Sequence, residues 1–160
     1  MLIRPVASND RAAVWAILEP VIRAGETYAL DRDLSEEAAL AYWTGPDKTT
    51  FVAEDDGAIL GTYYMRPNQA GGGSHVCNCG YMTSARATGR GVARAMCLHS
   101  LDHARAAGYR AMQFNFVVST NDRAVRLWKS LGFTIVGRLP LAFEHPRHGA
   151  VDALVMFQPL

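Results

Sequence analysis

The chain has 160 residues, 49% of them hydrophobic, which suffices for one domain with a buried core. Sixteen Lys and Arg against fifteen Asp and Glu leave a formal net charge of +1, so the overall charge favours neither nucleic acid nor an anionic membrane as a partner. Three cysteines without a CxxC pair argue against a disulfide framework, and no signal peptide or membrane-spanning stretch is recognisable, so we expect a cytoplasmic protein.

The first elements in chain order are a strand and a helix. The apolar run 2–6 predicts a short strand. The helix that follows has Ser8 or Asn9 as its expected cap and Gly25 as its expected end. Pro20 lies inside this segment and should kink or break the helix, because proline lacks the N–H that the helix needs.

A second helix and a hairpin come next. The segment 35–43 begins with a serine followed by two glutamates, a pattern typical of a capped helix start. The segment 49–66 predicts two strands joined by a tight turn at Asp56-Gly57. Residues 66–74 are rich in glycine and polar side chains and therefore predict a loop.

The second half of the chain alternates between strands and helices. The predicted elements are a strand over 75–83, a helix over about 89–107, a strand over 111–118, a helix over about 121–131, and strands near 133–138 and 151–158. Two successive strand–loop–helix units favour parallel pairing of the strands 75–83 and 111–118. The sequence thus predicts an α/β domain in which helices flank a mixed sheet.

The run ATGRGVARAM places two glycines, Gly89 and Gly91, at the predicted helix start. Exposed backbone N–H groups at such an end bind anions, and the helix dipole adds to the effect. Arg90 and Arg94 are cations at the end where the dipole disfavours them, a conflict that a bound anion would resolve. A simple turn with solvated arginines explains the same residues equally well, and the P-loop and dinucleotide fingerprints are both absent.

Residues 80–140, from GYMTSARATGRGVARAM to NDRAVRLWKSLGFTIVGRLP, resemble the cofactor-binding half of the GCN5-related N-acetyltransferases (GNAT). The phosphate motif of that family is Gln or Arg, two residues, Gly, one residue, then Gly or Ala. It can be aligned with Thr88, Gly91 and Ala93. Thr88 replaces the usual Gln or Arg, and Arg86 offers a second register two residues earlier.

The resemblance implies a fold. It is one domain over 1–160, with the cofactor-binding half at about 75–140. Its sheet is mixed and mostly antiparallel, with about seven strands, about four flanking helices and a splayed parallel strand pair at the centre. The resemblance also implies acetyl-CoA as co-substrate, no metal and a small-molecule amine as acceptor, and it is compatible with a homodimer.

The same resemblance implies which residues contact acetyl-CoA. The backbone N–H groups of 89–94 would hold the pyrophosphate, and the pantetheine arm would run antiparallel to the strand that ends at Thr83. N–H groups around Tyr81 to Thr83 would polarise the thioester carbonyl, as an oxyanion hole does. The full set is Tyr81, Met82, Thr83, Thr88, Gly89, Arg90, Gly91, Val92, Ala93, Arg94, Asn121 and Trp128.

Two departures from the family concern proton transfer. Trp128 stands where relatives often have a tyrosine that protonates the leaving thiolate, and an indole N–H cannot release a proton near neutral pH. Many relatives also have a glutamate on the strand before the loop, but HVCNCGYMT contains no carboxylate. Water or a side chain elsewhere must therefore take the proton from the acceptor ammonium.

Asn78 and Asn115 are the candidate catalytic residues. Each is a polar side chain within a strand that otherwise looks buried, and a buried amide requires hydrogen-bond partners. Either asparagine alone is explained well as a structural amide. HVCN and FNFVVSTN are also similar to the yeast acetyltransferases that act on azetidine-2-carboxylate, in which two strand asparagines position the substrate.

The resemblance thus favours an acetyl-CoA-dependent N-acetyltransferase that transfers acetyl directly to the amine of a small molecule, an amino or imino acid or a similar compound, within a ternary complex. An acyl-CoA-binding or sensing domain without turnover and a protein N-acetyltransferase are the alternatives. The family often builds its acceptor pocket at the position of 25–30, which makes Glu26 and Tyr28 weaker candidates. The segment 144–149 either covers the acceptor site or is an ordinary connection.

Overall fold

A computed structural model describes the whole chain, residues 1–160, as seven strands and four α-helices. In chain order these are β1 (Leu2–Pro5), α1 (Arg11–Ala24), α2 (Glu36–Trp43), β2 (Thr49–Asp55), β3 (Ala58–Pro67), β4 (Val76–Thr83), α3 (Val92–Ala106), β5 (Ala111–Val118), α4 (Asp122–Ser130), β6 (Thr134–His145) and β7 (Gly149–Pro159).

All seven strands form one sheet in the order β1-β2-β3-β4-β5-β7-β6. Every neighbouring pair is antiparallel except β4 and β5, which are parallel because α3 carries the chain back between them. The predicted α/β fold, with a mostly antiparallel mixed sheet and one central parallel pair, is confirmed.

The sheet is covered by helices on both faces. One core cluster joins the sheet to α3 and α4, and a second joins it to α1 and α2. Strand β3 is buried on both faces, and its successive side chains point to opposite faces of the sheet. Tyr63 packs in the first cluster and Tyr64 in the second. None of the four helices has the length and apolar character needed to span a bilayer.

The start of α1 differs from the prediction. Neither Ser8 nor Asn9 caps the helix, since both belong to a single 3-10 turn, and α1 itself starts at Arg11. The carboxylate of the buried Asp10 accepts hydrogen bonds from the Ala7 N–H at 2.7 Å and from the Arg4 guanidinium at 2.7 Å. The guanidinium lowers the pKa of Asp10. A long-range ion pair thus organises this turn, which short-range capping patterns do not reveal.

The course of α1 and the start of α3 each differ in one respect from the prediction. Helix α1 is not broken at Pro20, and buried residues on both sides of the proline, among them Ile17 and Ile22, pack in the core. Helix α3 starts at Val92, three residues after the predicted Gly89, because the intervening residues form turns. The left-handed φ of +64° at Gly25 ends α1 as predicted.

The remaining local predictions hold with modest shifts. Ser35 caps α2 by accepting from the Ala38 N–H at 3.2 Å, and the β2–β3 turn has left-handed residues at Asp56 and Gly57. The last two strands are longer than predicted, and the turn between β6 and β7 occupies part of 144–149.

Candidate active site

The parallel strands β4 and β5 separate soon after they meet. Their only paired positions are Val76 with Ala111 and Cys77 with Met112. On its other side β5 carries one extra residue relative to β7 between Phe114 and Val117, and such a bulge bends a strand. The two strands therefore diverge toward their C-terminal ends and leave a wedge in the middle of the sheet.

The divergence leaves backbone groups of β4 without a strand partner. The His75 carbonyl accepts from the Arg110 N–H at 2.8 Å, so alternation directs the N–H and C=O groups of odd-numbered β4 residues toward β5. Beyond Cys77 this includes Cys79 and Tyr81, which face the wedge rather than a strand. A linear chain with amide groups could hydrogen-bond along this free edge.

One of these groups already has a partner from another part of the fold. The Tyr28 hydroxyl donates to the Tyr81 carbonyl at 2.9 Å, which ties the loop between α1 and α2 to the free edge of β4. Burial raises the pKa of Tyr28 far above its ordinary value, so the hydroxyl remains a protonated donor. Tyr28 was a weaker sequence candidate, and the structure places it in the wall of the site.

A cavity of about 750 Å³ fills the wedge and reaches both faces of the sheet. Its walls come from the α1–α2 loop, the ends of β3, β4 and β5, the turn before α3, and the first turns of α3 and α4. The charged residues among its lining are three arginines, Arg66, Arg94 and Arg123, and no Asp, Glu or His lines it. The cavity is thus suited to ligands that carry negative charge.

The start of α3 forms one end of the cavity. Gly91, the residue before the helix, has a left-handed φ of +74°, and no side chain caps the first turn. The N–H groups of that turn have no intrahelical acceptor and are available to a ligand. An uncapped helix start with Arg94 beside it fits the predicted anion site.

Most residues predicted to bind the cofactor line this cavity, and two do not. Thr88 and Arg90 lie outside the lining. The Arg90 guanidinium instead pairs with Asp55 at 2.5 Å, and the Asp55 carboxylate also binds the Met1 amino group at 3.0 Å. The remaining members of the set are lining residues: Tyr81, Met82, Thr83, Gly89, Gly91, Val92, Ala93, Arg94, Asn121 and Trp128.

Aromatic rings form the cavity wall on the side of α3 and α4. Trp128 is 7% exposed and packs against Tyr81 and Phe114, with ring centroids 5.1 Å and 5.2 Å away. Burial raises the pKa of Tyr81 well above its ordinary value. The Tyr81 hydroxyl therefore stays protonated near neutral pH, and the packed rings make this wall largely apolar.

Asn78 and Asn115, the predicted catalytic pair, both line the cavity. The Asn78 amide nitrogen donates to the Gln113 carbonyl at 2.9 Å, across the point where the strands separate, and its amide oxygen makes no hydrogen bond inside the protein. Asn115 lies in the bulge of β5, where it accepts from the Gln113 side chain at 2.9 Å and donates to Asn68 at 2.6 Å. The structure brings the two amides into one site and gives each a structural partner as well.

The opposite end of the cavity contains residues that the sequence did not single out. Tyr42, Tyr64 and Arg66 line it from α2 and β3. The Tyr42 and Tyr64 hydroxyls are 3.4 Å apart, and the rings meet edge to face. The sequence signal for Arg66 was a single arginine at the end of the apolar strand LGTYYMR. Only the strand register, which the sequence does not give, shows that this arginine lies beside β4.

Glu26 and part of the 144–149 segment line a second, smaller pocket that shares Thr27 and Asn121 with the main cavity. Glu26 does not line the main cavity and instead pairs with Arg147 at 2.9 Å. The ion pair joins the turn between β6 and β7 to the α1–α2 loop. The segment thus lies beside the α1–α2 loop and the start of α4, where Glu26, Asn121 and Arg147 share a small second pocket.

Cys79 is a sulfur nucleophile in the cavity wall, but its environment keeps it protonated. Burial raises the pKa of the Cys79 thiol well above its ordinary value, and the same cause raises the pKa of the neighbouring Cys97 to about 12. Because the thiolate is the nucleophilic form, an acyl-cysteine intermediate is disfavoured. The arrangement favours direct transfer between two ligands held in one cavity.

Comparison with known proteins identifies related chains. The model of the acetyltransferase (GNAT) family matches residues 15–133. The N-acetyltransferase aca1 of Schizosaccharomyces pombe is 30% identical over 151 residues, which cover 84% of this chain and 72% of the relative. A GCN5-related N-acetyltransferase from Kribbella flavida is 45% identical and superposes with a TM-score of 0.94 over 99% of this chain and 97% of the other. A phosphinothricin acetyltransferase from Sinorhizobium meliloti, solved in complex with acetyl-CoA, shares the fold with a TM-score of 0.86 at 23% identity, covering 99% of this chain and 88% of the other.

We predict that the three cysteines of the native protein resist a thiol-specific disulfide reagent at mildly alkaline pH. All three are buried, and two have raised pKa values, so modification should be at least about 100-fold slower than in concentrated urea. The time course of chromophore release measures both rates. A native thiol that reacts at the rate of a free cysteine, and whose reaction disappears in a Cys79→Ser variant, would instead indicate a nucleophile in the cavity.

Proposed function

The chain belongs to the acetyltransferase (GNAT) family and is an acetyl-CoA-dependent N-acetyltransferase; we propose that its acceptor is the amine of a small amino or imino acid. We further propose that the acetyl group passes directly to this amine while both substrates are bound. Trp128 and the absence of a carboxylate on the strand would suit an acyl-CoA-binding domain without turnover. Membership of this enzyme family argues against that alternative.

The observation that carries the proposal is the single cavity that crosses the wedge between β4 and β5. One end has the uncapped helix start of α3, and the other is walled by tyrosines and polar side chains. A volume of about 750 Å³ falls in the range of small-molecule sites. The arginine lining also disfavours a lysine-rich peptide or protein segment as acceptor.

The residues present fit acetyl-CoA, whose thioester supplies the activated acetyl group. The N–H groups at the start of α3 would bind its pyrophosphate, with Arg94 beside them. The free edge of β4 at Cys79 and Tyr81 would bind the amides of the pantetheine arm. Trp128 would pack against that arm and exclude water from it.

Acetyl transfer requires a proton acceptor, and no carboxylate or imidazole lines the cavity. An amine near its unperturbed pKa is an ammonium at pH 7 and has no lone pair for attack. Because no Asp, Glu or His lines the cavity and the Cys79 thiol stays protonated, we infer that water takes this proton. The residues that line the cavity would contribute by orienting the amine and the thioester, and such orientation alone can supply a large part of the rate enhancement.

A thiol-release assay with acetyl-CoA tests the acceptor class. The panel consists of amino acids, imino acids, polyamines and peptides, and mass spectrometry identifies the acetylated product. We expect turnover with members of the first two groups and little or none with polyamines. Turnover confined to peptides or polyamines would overturn the proposed acceptor class.

The pyrophosphate site can be tested at Gly91. A valine there would be strained at a φ of +74° and would add bulk beside the N–H groups of α3, so we expect Gly91→Val to weaken acetyl-CoA binding at least about tenfold, or about 1.4 kcal/mol. Gly108, at the other end of α3, is a matched control with a φ of +84° and equally open surroundings. Calorimetry that shows the same acetyl-CoA affinity in Gly91→Val and Gly108→Val would contradict the assignment.

Alanine substitutions test whether Asn78 and Asn115 contact the acceptor. We expect each variant to keep its acetyl-CoA affinity within a few-fold but to lose most turnover, since misplacing a reacting group can cost about a hundredfold in rate. If an amide is only structural, its removal should instead lower stability by about 1–3 kcal/mol and leave turnover per folded molecule normal.

Thermal melting and turnover are measured on the same preparations. Asn68→Ala is the matched control, because this residue hydrogen-bonds Asn115 but does not line the cavity. Equal loss of turnover in Asn68→Ala and Asn115→Ala would assign the effect to the amide network rather than to acceptor contact.

A further inference from the structure

We infer that Arg66 binds the carboxylate of the acceptor and is the residue that selects amino or imino acids over simple amines. This inference rests on the proposed function and extends it to a specificity-determining residue.

Arg66 is placed beside a predicted catalytic residue by the strand register. It pairs with Asn78 across the antiparallel β3–β4 ladder, so the two side chains project from the same face of the sheet. Both line the cavity. A ligand that contacts the Asn78 amide therefore lies next to the guanidinium.

The guanidinium of Arg66 is incompletely satisfied inside the protein. Its Nε is buried and has no hydrogen-bond partner. The Nη1 group lies 3.4 Å from the carboxylate of Asp47, which is itself 54% exposed and bound more closely by Lys48 at 2.9 Å. A buried donor without a partner is unfavourable, and a ligand carboxylate would satisfy it together with a second N–H of the fork.

The charge distribution assigns this arginine to the acceptor rather than to the cofactor. Arg94 lies in the first turn of α3, at the end predicted to hold the pyrophosphate, and Arg123 lies in the first turn of α4, beside the predicted cofactor contact Asn121. Arg66 is the remaining charged residue of the lining and has no acidic neighbour within it. An acceptor with only positive charge would be repelled there, whereas a carboxylate would be attracted.

Neighbouring residues build a recess for the rest of such a molecule. Tyr64 lies two residues before Arg66 on the same face and pairs with Gly80. A Cβ on Gly80 would approach the Tyr64 ring to 2.6 Å, so glycine is what allows the ring to lie against β4. The ring offers an apolar surface for the acceptor body, while the free Asn78 oxygen can accept a hydrogen bond from its amine.

The test compares each acceptor acid with its carboxamide, which keeps the amine and removes the negative charge. Arg66→Met should lower kcat/KM for the acid about 10- to 100-fold, the range expected for a lost charge-assisted hydrogen bond. The same variant should change kcat/KM for the carboxamide less than about threefold, and it should leave KM for acetyl-CoA unchanged. Arg66→Lys keeps the charge but loses the planar fork, so its loss on the acid should be intermediate.

Arg105→Met is the matched control, because Arg105 is an exposed residue of α3 that pairs only with Asp102. Equal losses on acid and carboxamide, or no loss on the acid, would overturn the role of Arg66. Thermal melting checks that the variants are folded. If Arg66→Met does not fold, Arg66→Lys still tests the loss of the planar guanidinium.

A binding measurement separates this inference from the proposed function. If the wild type acetylates no member of the panel, the proposed acceptor class fails, and the same amino acids are titrated calorimetrically into the protein–CoA complex. Binding that Arg66→Met weakens at least about tenfold would support the carboxylate site. No binding to the wild type, or equal binding to both proteins, would overturn it.

Discussion

The divergence of β4 and β5 is the constraint on which the rest of the site depends. If the two parallel strands stayed paired, their backbone N–H and C=O groups would hydrogen-bond to each other and the sheet would have no opening. Here the pairing stops after Cys77 and Met112, and a bulge bends β5 away. The result is both a cavity through the sheet and a free strand edge on which a ligand with amide groups can bind.

Side-chain hydrogen bonds stabilise the edges of this opening and leave it accessible to ligands. The Asn78 side chain donates a hydrogen bond to the Gln113 carbonyl at the point where the β4–β5 pairing stops. Further along β4, the Tyr28 hydroxyl donates a hydrogen bond to the Tyr81 carbonyl. Side chains thus replace some of the ladder bonds that the divergence removes, which limits the number of buried polar groups without partners. The same contacts connect the acceptor end of the cavity to the strand proposed to hold pantetheine.

The electrostatics of the cavity follow a simple division. Arg94 and Arg123, at the starts of α3 and α4, line the proposed cofactor side, and Arg66 stands at the other end, with no acidic group in the lining. A site built in this way attracts anionic ligands at both ends, and its lining contains no carboxylate or imidazole. The enzyme would then depend on alignment of the two substrates and on water for proton transfer.

The amino-acid sequence by itself determined the order of the elements, the β2–β3 hairpin, the cap at Ser35 and the glycine turn before α3. These features depend on residues a few positions apart, so alternation, turn residues and caps reveal them. The parallel pairing of β4 and β5 was expected from the two successive strand–loop–helix units, whereas the separation of their ends was expected only through family resemblance. Local patterns do not state where a parallel pair stops.

Tertiary structure decided which side chains meet. It turned Arg90 toward Asp55 and out of the cavity, and it placed Arg66 beside Asn78 through the β3–β4 register. It also made Asp10, rather than Ser8 or Asn9, the organiser of the turn before α1. Each outcome depends on charges and strands far apart in the chain, whose competition is settled only when the sheet brings them within hydrogen-bonding distance.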